Sequence, residues 1–209
     1  ASRLYRLDRK STSMALGLVS TRASGLKSQF GTMGKPFNAG AAAANGVEAA
    51  GLASLGFVAS QDVFSGAQSF LVSHHASVNS DSNVDWEDMV DNWQMDKFVF
   101  ADVRHKLHAC CHGTHAMVEA LLKLQVDHQF NIDEIVSVQV RTAPRWLNVC
   151  DIKRPRTGLE IKFSFIFLAA MVLRGSNLAA YETYDDAVCS DVVVEALASK
   201  IHVIGDKAI

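Results

Sequence analysis

Three times in this sequence, a loop bearing positive charge runs into the start of a helix. In Phe30-Gly31-Thr32-Met33-Gly34-Lys35-Pro36-Phe37-Asn38, two glycines permit tight turns, Lys35 supplies charge, and Pro36 or Asn38 suits a first turn or cap. In His105-Lys106-Leu107-His108-Ala109-Cys110-Cys111-His112-Gly113-Thr114-His115, Lys106 precedes a histidine-dense run in which Thr114 is placed as an N-cap. In Arg154-Pro155-Arg156-Thr157-Gly158-Leu159-Glu160, two arginines precede a Thr-x-x-Glu capping box. Free N–H groups and the macrodipole make a helix N-terminus a natural anion site. A single cation ahead of a helix is usually solvated surface, and the capping box alone accounts for Thr157 and Glu160. Three such starts in one chain favour a small polyanion.

The histidine run carries a second possibility. His105, His108, His112 and His115 flank Cys110 and Cys111, and imidazole with thiolate is the ordinary ligand set of zinc. The spacing fits no finger or hydrolase pattern, however, and adjacent cysteines seldom hold one ion. No metal and no cofactor are expected. A Cys–His pair is a further option, because a helix N-terminus lowers a thiol pKa; acid–base or binding use by the histidines ranks above it. His74, His75, His128 and His202 read as ordinary surface or core residues.

The elements that must position these residues follow from periodicity. Residues 13–22 and 38–55 read as helices, the second ending near Gly56. Its many Ala and Gly positions predict close neighbours on several sides. Residues 60–64 read as a capped turn and 68–75 as a short helix. From about residue 95, strand and helix signals alternate: strand-like 98–104, an amphipathic helix over 114–124, and alternating 135–142 ended by Pro144. A long helix over 157–173, another over 191–200 and a short strand over 201–204 complete the pattern. The expected fold is mainly α with an α+β part: a partial helical domain over residues 1–95, then a smaller α+β lid over 96–209.

Bulk properties narrow the classes. Of 209 residues, 49% are apolar and 20% charged, and the net charge of −2 comes without a basic run, so neither a nucleic-acid groove nor a membrane patch is expected. No apolar stretch reaches the ~20 residues of a membrane span. Four cysteines, two of them adjacent, are too few and too irregular for a disulfide framework, which predicts reduced thiols in a cytoplasmic compartment. The N-terminus enters as though mid-element, and both ends read as cut.

The same segments carry a family resemblance. Gly31-Thr32-Met33-Gly34-Lys35-Pro36-Phe37-Asn38-Ala39-Gly40 resembles the glycine-loop motif of the MmgE/PrpD family, which ends Lys-Pro-Leu/Phe-His-Ala-Gly. Residues 15–25 are similar to the family helix before it. Residues 106–115 look like its Lys-x-x-x-Cys-Cys-x-x-x-His stretch, and residues 151–164 resemble its Pro-x-Thr-Gly…Lys-Phe-Ser segment. The matches keep their order over almost the whole chain. That family includes 2-methylcitrate dehydratase, cis-aconitate decarboxylase and iminodisuccinate epimerase. The resemblance implies a metal-free enzyme of small di- or tricarboxylates, homodimeric, with a lid closing over the site. By position, Lys35 and Lys106 match family active-site lysines, and Cys111 falls where some members carry an active-site His. Two departures stand out. Asn38 replaces a common His, and the family's Asp, Thr and His from the preceding helical segment have no counterpart, which puts the general base upstream of Ala1.

The reading that results is a hydro-lyase type reaction: removal of a proton α to a carboxylate, then loss of a β-substituent. Lys35 and Lys106 suit stabilisation of the enediolate-like charge, with His112 and His115 as proton-moving groups. Gly34, Cys111, Thr114 and Arg156 are the candidate substrate-binding residues. Epimerisation of an iminodisuccinate-type substrate, or a decarboxylation, shares the same carbanion problem. A non-catalytic helical scaffold and a zinc module on residues 105–115 are the rivals from other classes. Elemental analysis of the purified protein is expected to find no stoichiometric zinc; roughly one zinc per chain would make residues 105–115 a metal module instead.

Overall fold

The computed structural model describes residues 1–64, 68–74, 103 and 105–209. The strand expected over 98–104 and the boundary expected near residue 95 lie outside the described residues. The chain divides into two compact units, one of Ala1–Gly25 with Pro36–Val103, the other of Leu26–Lys35 with Arg104–Ile209. The glycine loop through Lys35 therefore groups with the C-terminal half of the sequence. The fold is mainly α with a small two-stranded α+β part.

In the first unit, α1 (Arg9–Ser20) is capped by Asp8, whose carboxylate accepts from the Ser11 N–H at 2.7 Å. It packs through Met14 and Ala15 on Ala50 and Ala53 of α2 (Gly34–Ser54). Gly17 lets the chain at Ala59 and Ser60 come close, for a Cβ there would lie 2.7 Å from each. α2 was expected to be enclosed on several sides; only Ala49, Ala50 and Ala53 are buried, and Phe37 and Val47 are exposed. A short α3 (Phe70–His74) follows.

The second unit is built around α7. In chain order it contains α4 (His115–His128), β1 (Val138–Thr142), α5 (Pro144–Cys150), α6 (Gly158–Ile161), α7 (Phe165–Leu173), α8 (Val192–Ala198) and β2 (Ile201–Gly205). The α7 sequence Phe-Ile-Phe-Leu-Ala-Ala-Met-Val-Leu is apolar all round, so it is buried all round, with α4 and α8 packed against it. Each large side chain there, such as Phe165 or Leu168, contributes roughly 1.5–3 kcal/mol by leaving water. β1 and β2 pair in parallel, Val138 opposite Ile201 through Thr142 opposite Gly205, and the intervening helices form the crossover that parallel pairing requires. Pro144 does end β1, but it also opens α5 as its first residue, a position where its missing N–H costs nothing.

The expected continuous helix over 157–173 is corrected. It is two helices, broken at Lys162–Ser164. Thr157 caps α6 by accepting from the Glu160 N–H at 3.2 Å, while the Glu160 carboxylate reaches back one residue further than a capping box requires, to the Arg156 N–H at 2.6 Å. The Phe163 and Ser164 N–H groups fold back in tight turns onto Glu160 and Ile161. Ser164, fully buried and extended, then caps α7 by accepting from Phe167 at 3.2 Å. A serine able to cap from inside an apolar run ends one helix and starts the next.

Gly158 has no room for a side chain: a Cβ would stand 1.9 Å from the Tyr184 carbonyl oxygen, and its N–H is held by Asp186 at 2.7 Å. Gly158→Ala is expected to lower the thermal melting temperature, by about 1–3 kcal/mol of stability; an unchanged melt would mean that the 184–186 turn can move aside.

Candidate active site

The break between α6 and α7 leaves two carbonyls without helical partners, and other segments take them. Cys111 N–H donates to the Lys162 carbonyl at 3.0 Å, and Ile152 N–H to the Phe163 carbonyl at 3.2 Å. Ala109 N–H adds a bond to Leu178 at 2.9 Å, which lays residues 109–111 along this joint. The glycine loop arrives on the same side. Gly31, with φ +86°, lies against Ile152 and Glu160, and the Phe30 ring stacks on Phe163 at 5.6 Å between centroids.

Lys35 is held over both rings, its Nζ 5.0 Å from the Phe30 centroid and 4.8 Å from Phe163. Lys106 Nζ donates to the Cys110 carbonyl at 3.1 Å. Lys162 Nζ stands 4.2 Å over Tyr181 and 4.6 Å over Tyr184. Burial depresses the Lys162 ammonium below the usual lysine range; the nearby Cys110 opposes that shift, and Lys106 adds repulsion. Among the described residues, none of these three lysines forms an ion pair with a carboxylate.

Two of them, Lys106 and Lys35, act on the Cys111 thiol. A hydrogen bond from the Cys150 thiol, another from the Gly113 N–H, and the charges of Lys106 and Lys35 hold the Cys111 thiol down to about 6, against the opposing effect of burial. Cys150, wholly buried, is pushed far up by giving that bond. Cys110 is raised by burial. All four cysteines are free thiols.

The expected site residues divide into two sets. Lys35, Lys106 and Cys111 come together, and His115 joins them, since Lys106 acts on its ring as well. Burial, then the neighbouring His108, lowers the His115 pKa, which keeps the imidazole neutral near pH 7. Its ring is 5.2 Å from that of His108 and 5.5 Å from that of the exposed His112, and its Nε2 is buried with no hydrogen-bond partner among the described residues. Gly34 and Thr114 have internal duties. The Gly34 N–H is held by the Thr32 hydroxyl at 3.1 Å. Thr114 is fully buried, donates to the Cys111 carbonyl at 2.8 Å, and makes no side-chain cap on α4. The Arg156 guanidinium is exposed and, among the described residues, makes no hydrogen bond or ion pair. Its short helix, α6, has too few turns to carry a useful dipole.

A separate, mostly apolar cavity of about 370 Å³ lies between α4 and β1, lined by Met117, Leu121, Val140 and Trp146 among others, and includes none of the lysines. No group of three or more His, Cys, Asp or Glu among the described residues is arranged to hold a metal ion. No helix among them is long and apolar enough to cross a membrane.

Comparison with known proteins matches most of the chain to two domains of one family. Residues 1–80 match the MmgE/PrpD N-terminal domain, and residues 108–209 match the MmgE/PrpD C-terminal domain. The chain belongs to the MmgE/PrpD family. It is also similar to the cis-aconitate decarboxylase-like protein oryM of Aspergillus oryzae, at 30% identity over 142 residues, covering 66% of this chain and 30% of that relative. The chain thus spans under a third of that relative's length.

Sequence reasoning missed Lys162, the Phe30–Phe163 stack, the Tyr181 and Tyr184 rings, and the role of Cys150. Lys162 and Phe163 lay in the quoted MmgE/PrpD segment but were absorbed into a helix that does not exist. The usable signal was Ser164, a capping residue between two strongly apolar stretches. Iodoacetamide labelling of Cys111, followed by peptide mass spectrometry, is expected to rise through a midpoint near pH 6. Cys150→Ala should move that midpoint up toward the ordinary thiol range of roughly 8.5. An ordinary midpoint in the unaltered protein would mean that the thiol is not held as described.

Proposed function

We propose that this protein is the part of an MmgE/PrpD lyase that binds a small di- or tricarboxylate and stabilises its carbanion. The carrying observation is that Lys35 and Lys106, seventy-one residues apart in sequence, both bear on the Cys111 thiol within one compact unit. A proton α to a carboxylate is weakly acidic. Its removal puts charge on the carboxylate oxygens, where preorganised ammonium groups stabilise it more than they stabilise the starting acid.

In the dehydratase reading, the Cα–H bond breaks, its proton passes to a base, the C=C bond forms, and the β-hydroxyl leaves as water once protonated. Lys35 and Lys106 hold the carboxylate on which charge develops. A neutral His115 with an unpartnered Nε2 is fitted to accept or relay a proton rather than to donate the first one. A decarboxylase reading has support of its own in the name of the oryM relative. Loss of CO₂ leaves the same kind of carbanion, and the same ammonium pair serves it.

The test is affinity for citrate, measured by titration calorimetry. Lys35→Met is expected to weaken it by about tenfold to a hundredfold, the equivalent of one charge-assisted contact of roughly 1.5–3 kcal/mol, with the melting temperature preserved. Unchanged affinity would remove Lys35 from the site. Proton NMR of citrate and cis-aconitate in D₂O then separates the reactions, by whether deuterium enters α to a carboxylate, water is lost, or CO₂ is lost.

A further inference from the structure

We infer that Lys162 is a third substrate-contacting cation, and that it fits the site to a ligand with three carboxylates rather than two. The inference rests on the polycarboxylate reading above and deepens it.

Lys162 stands at the centre of the joint. Its carbonyl anchors Cys111, and the next residue, Phe163, carries the ring beneath Lys35. Its ammonium is held by the faces of Tyr181 and Tyr184, which fix a cation in place without neutralising it. No carboxylate among the described residues pairs with it, and Lys106 is close enough to repel it. Partial burial of the Lys162 ammonium and its repulsion by the exposed Lys106 both cost stability. An arrangement that keeps this cost uncompensated in the protein fits an anion supplied from outside. Two ammonium groups suffice for two carboxylates. A third, fixed on its own aromatic seat, reads a third.

The probes are tricarballylate, with three carboxylates, and glutarate, with two, titrated calorimetrically into the whole 209-residue protein. Lys162→Met is expected to weaken tricarballylate binding by about tenfold or more while changing glutarate by no more than about twofold, and Lys162→Arg to restore most of the loss. A structural role alone would weaken both ligands together, and that result overturns the inference. Circular dichroism melts confirm that each variant is folded. Should Lys162→Met not fold, labelling of the unaltered protein with an amine-reactive acetylating reagent decides: tricarballylate protects Lys162 and glutarate does not, or the inference fails. If Lys35→Met weakens both ligands and Lys162→Met neither, the polycarboxylate site stands and Lys162 is outside it. If the unaltered protein binds neither ligand, the polycarboxylate reading falls and takes this inference with it.

Discussion

The helix that stops at Lys162 governs the second unit. In an unbroken helix, the Lys162 and Phe163 carbonyls would be consumed by the N–H groups four residues on. Because Ser164 ends one helix and caps the next, those two carbonyls stay available, and buried carbonyls must find partners. Cys111 and Ile152 supply them. One bond sets the thiol and its neighbour Lys106. The other sets the connection after α5, against which Gly31 of the lysine-bearing loop lies. Three stretches distant in sequence are thus registered by a single interruption a few residues long.

The charges at this joint are held in an uncommon manner. Carboxylates would be the ordinary partners for three lysines, yet rings and one backbone carbonyl do the holding. A cation over a ring keeps its full charge, whereas an ion pair is already neutral toward a third group. The aromatic seats therefore preserve positive potential that an acidic side chain would cancel. Such seats also fix the direction of a flexible side chain before a ligand arrives, which reduces the entropy that binding must overcome.

Much of this was legible in the sequence. The helices of the first unit, α4, α8 and β2 announced themselves in the residue pattern, and Lys35 and Lys106 drew attention by their place at helix starts, Cys111 by the family resemblance. The apolar run from Phe163 to Leu173 misled, because a fully buried helix shows no period and so hides where it begins. Ser164 is one polar residue among eleven, and its capping role depends on burial that composition cannot show. α5 was hidden by Pro144, which reads equally as the end of a strand or the first residue of a helix. Cap and glycine positions look alike in sequence whether their groups face outward or are satisfied within the chain; the Thr114 hydroxyl and the Gly34 N–H have internal partners. The aromatic seats had no signal at all: Phe30 lies 133 residues from Phe163, and only the fold makes them neighbours.

The thiol at the centre gives the lysine group its resting form. The Cys150 thiol, the Gly113 N–H and the charges of Lys106 and Lys35 all favour the ionised form of Cys111, against burial. In the polycarboxylate reading proposed above, a ligand among the lysines competes with an ionised Cys111 for the same positive charge, and two anions side by side repel. On that reading, binding raises the Cys111 pKa.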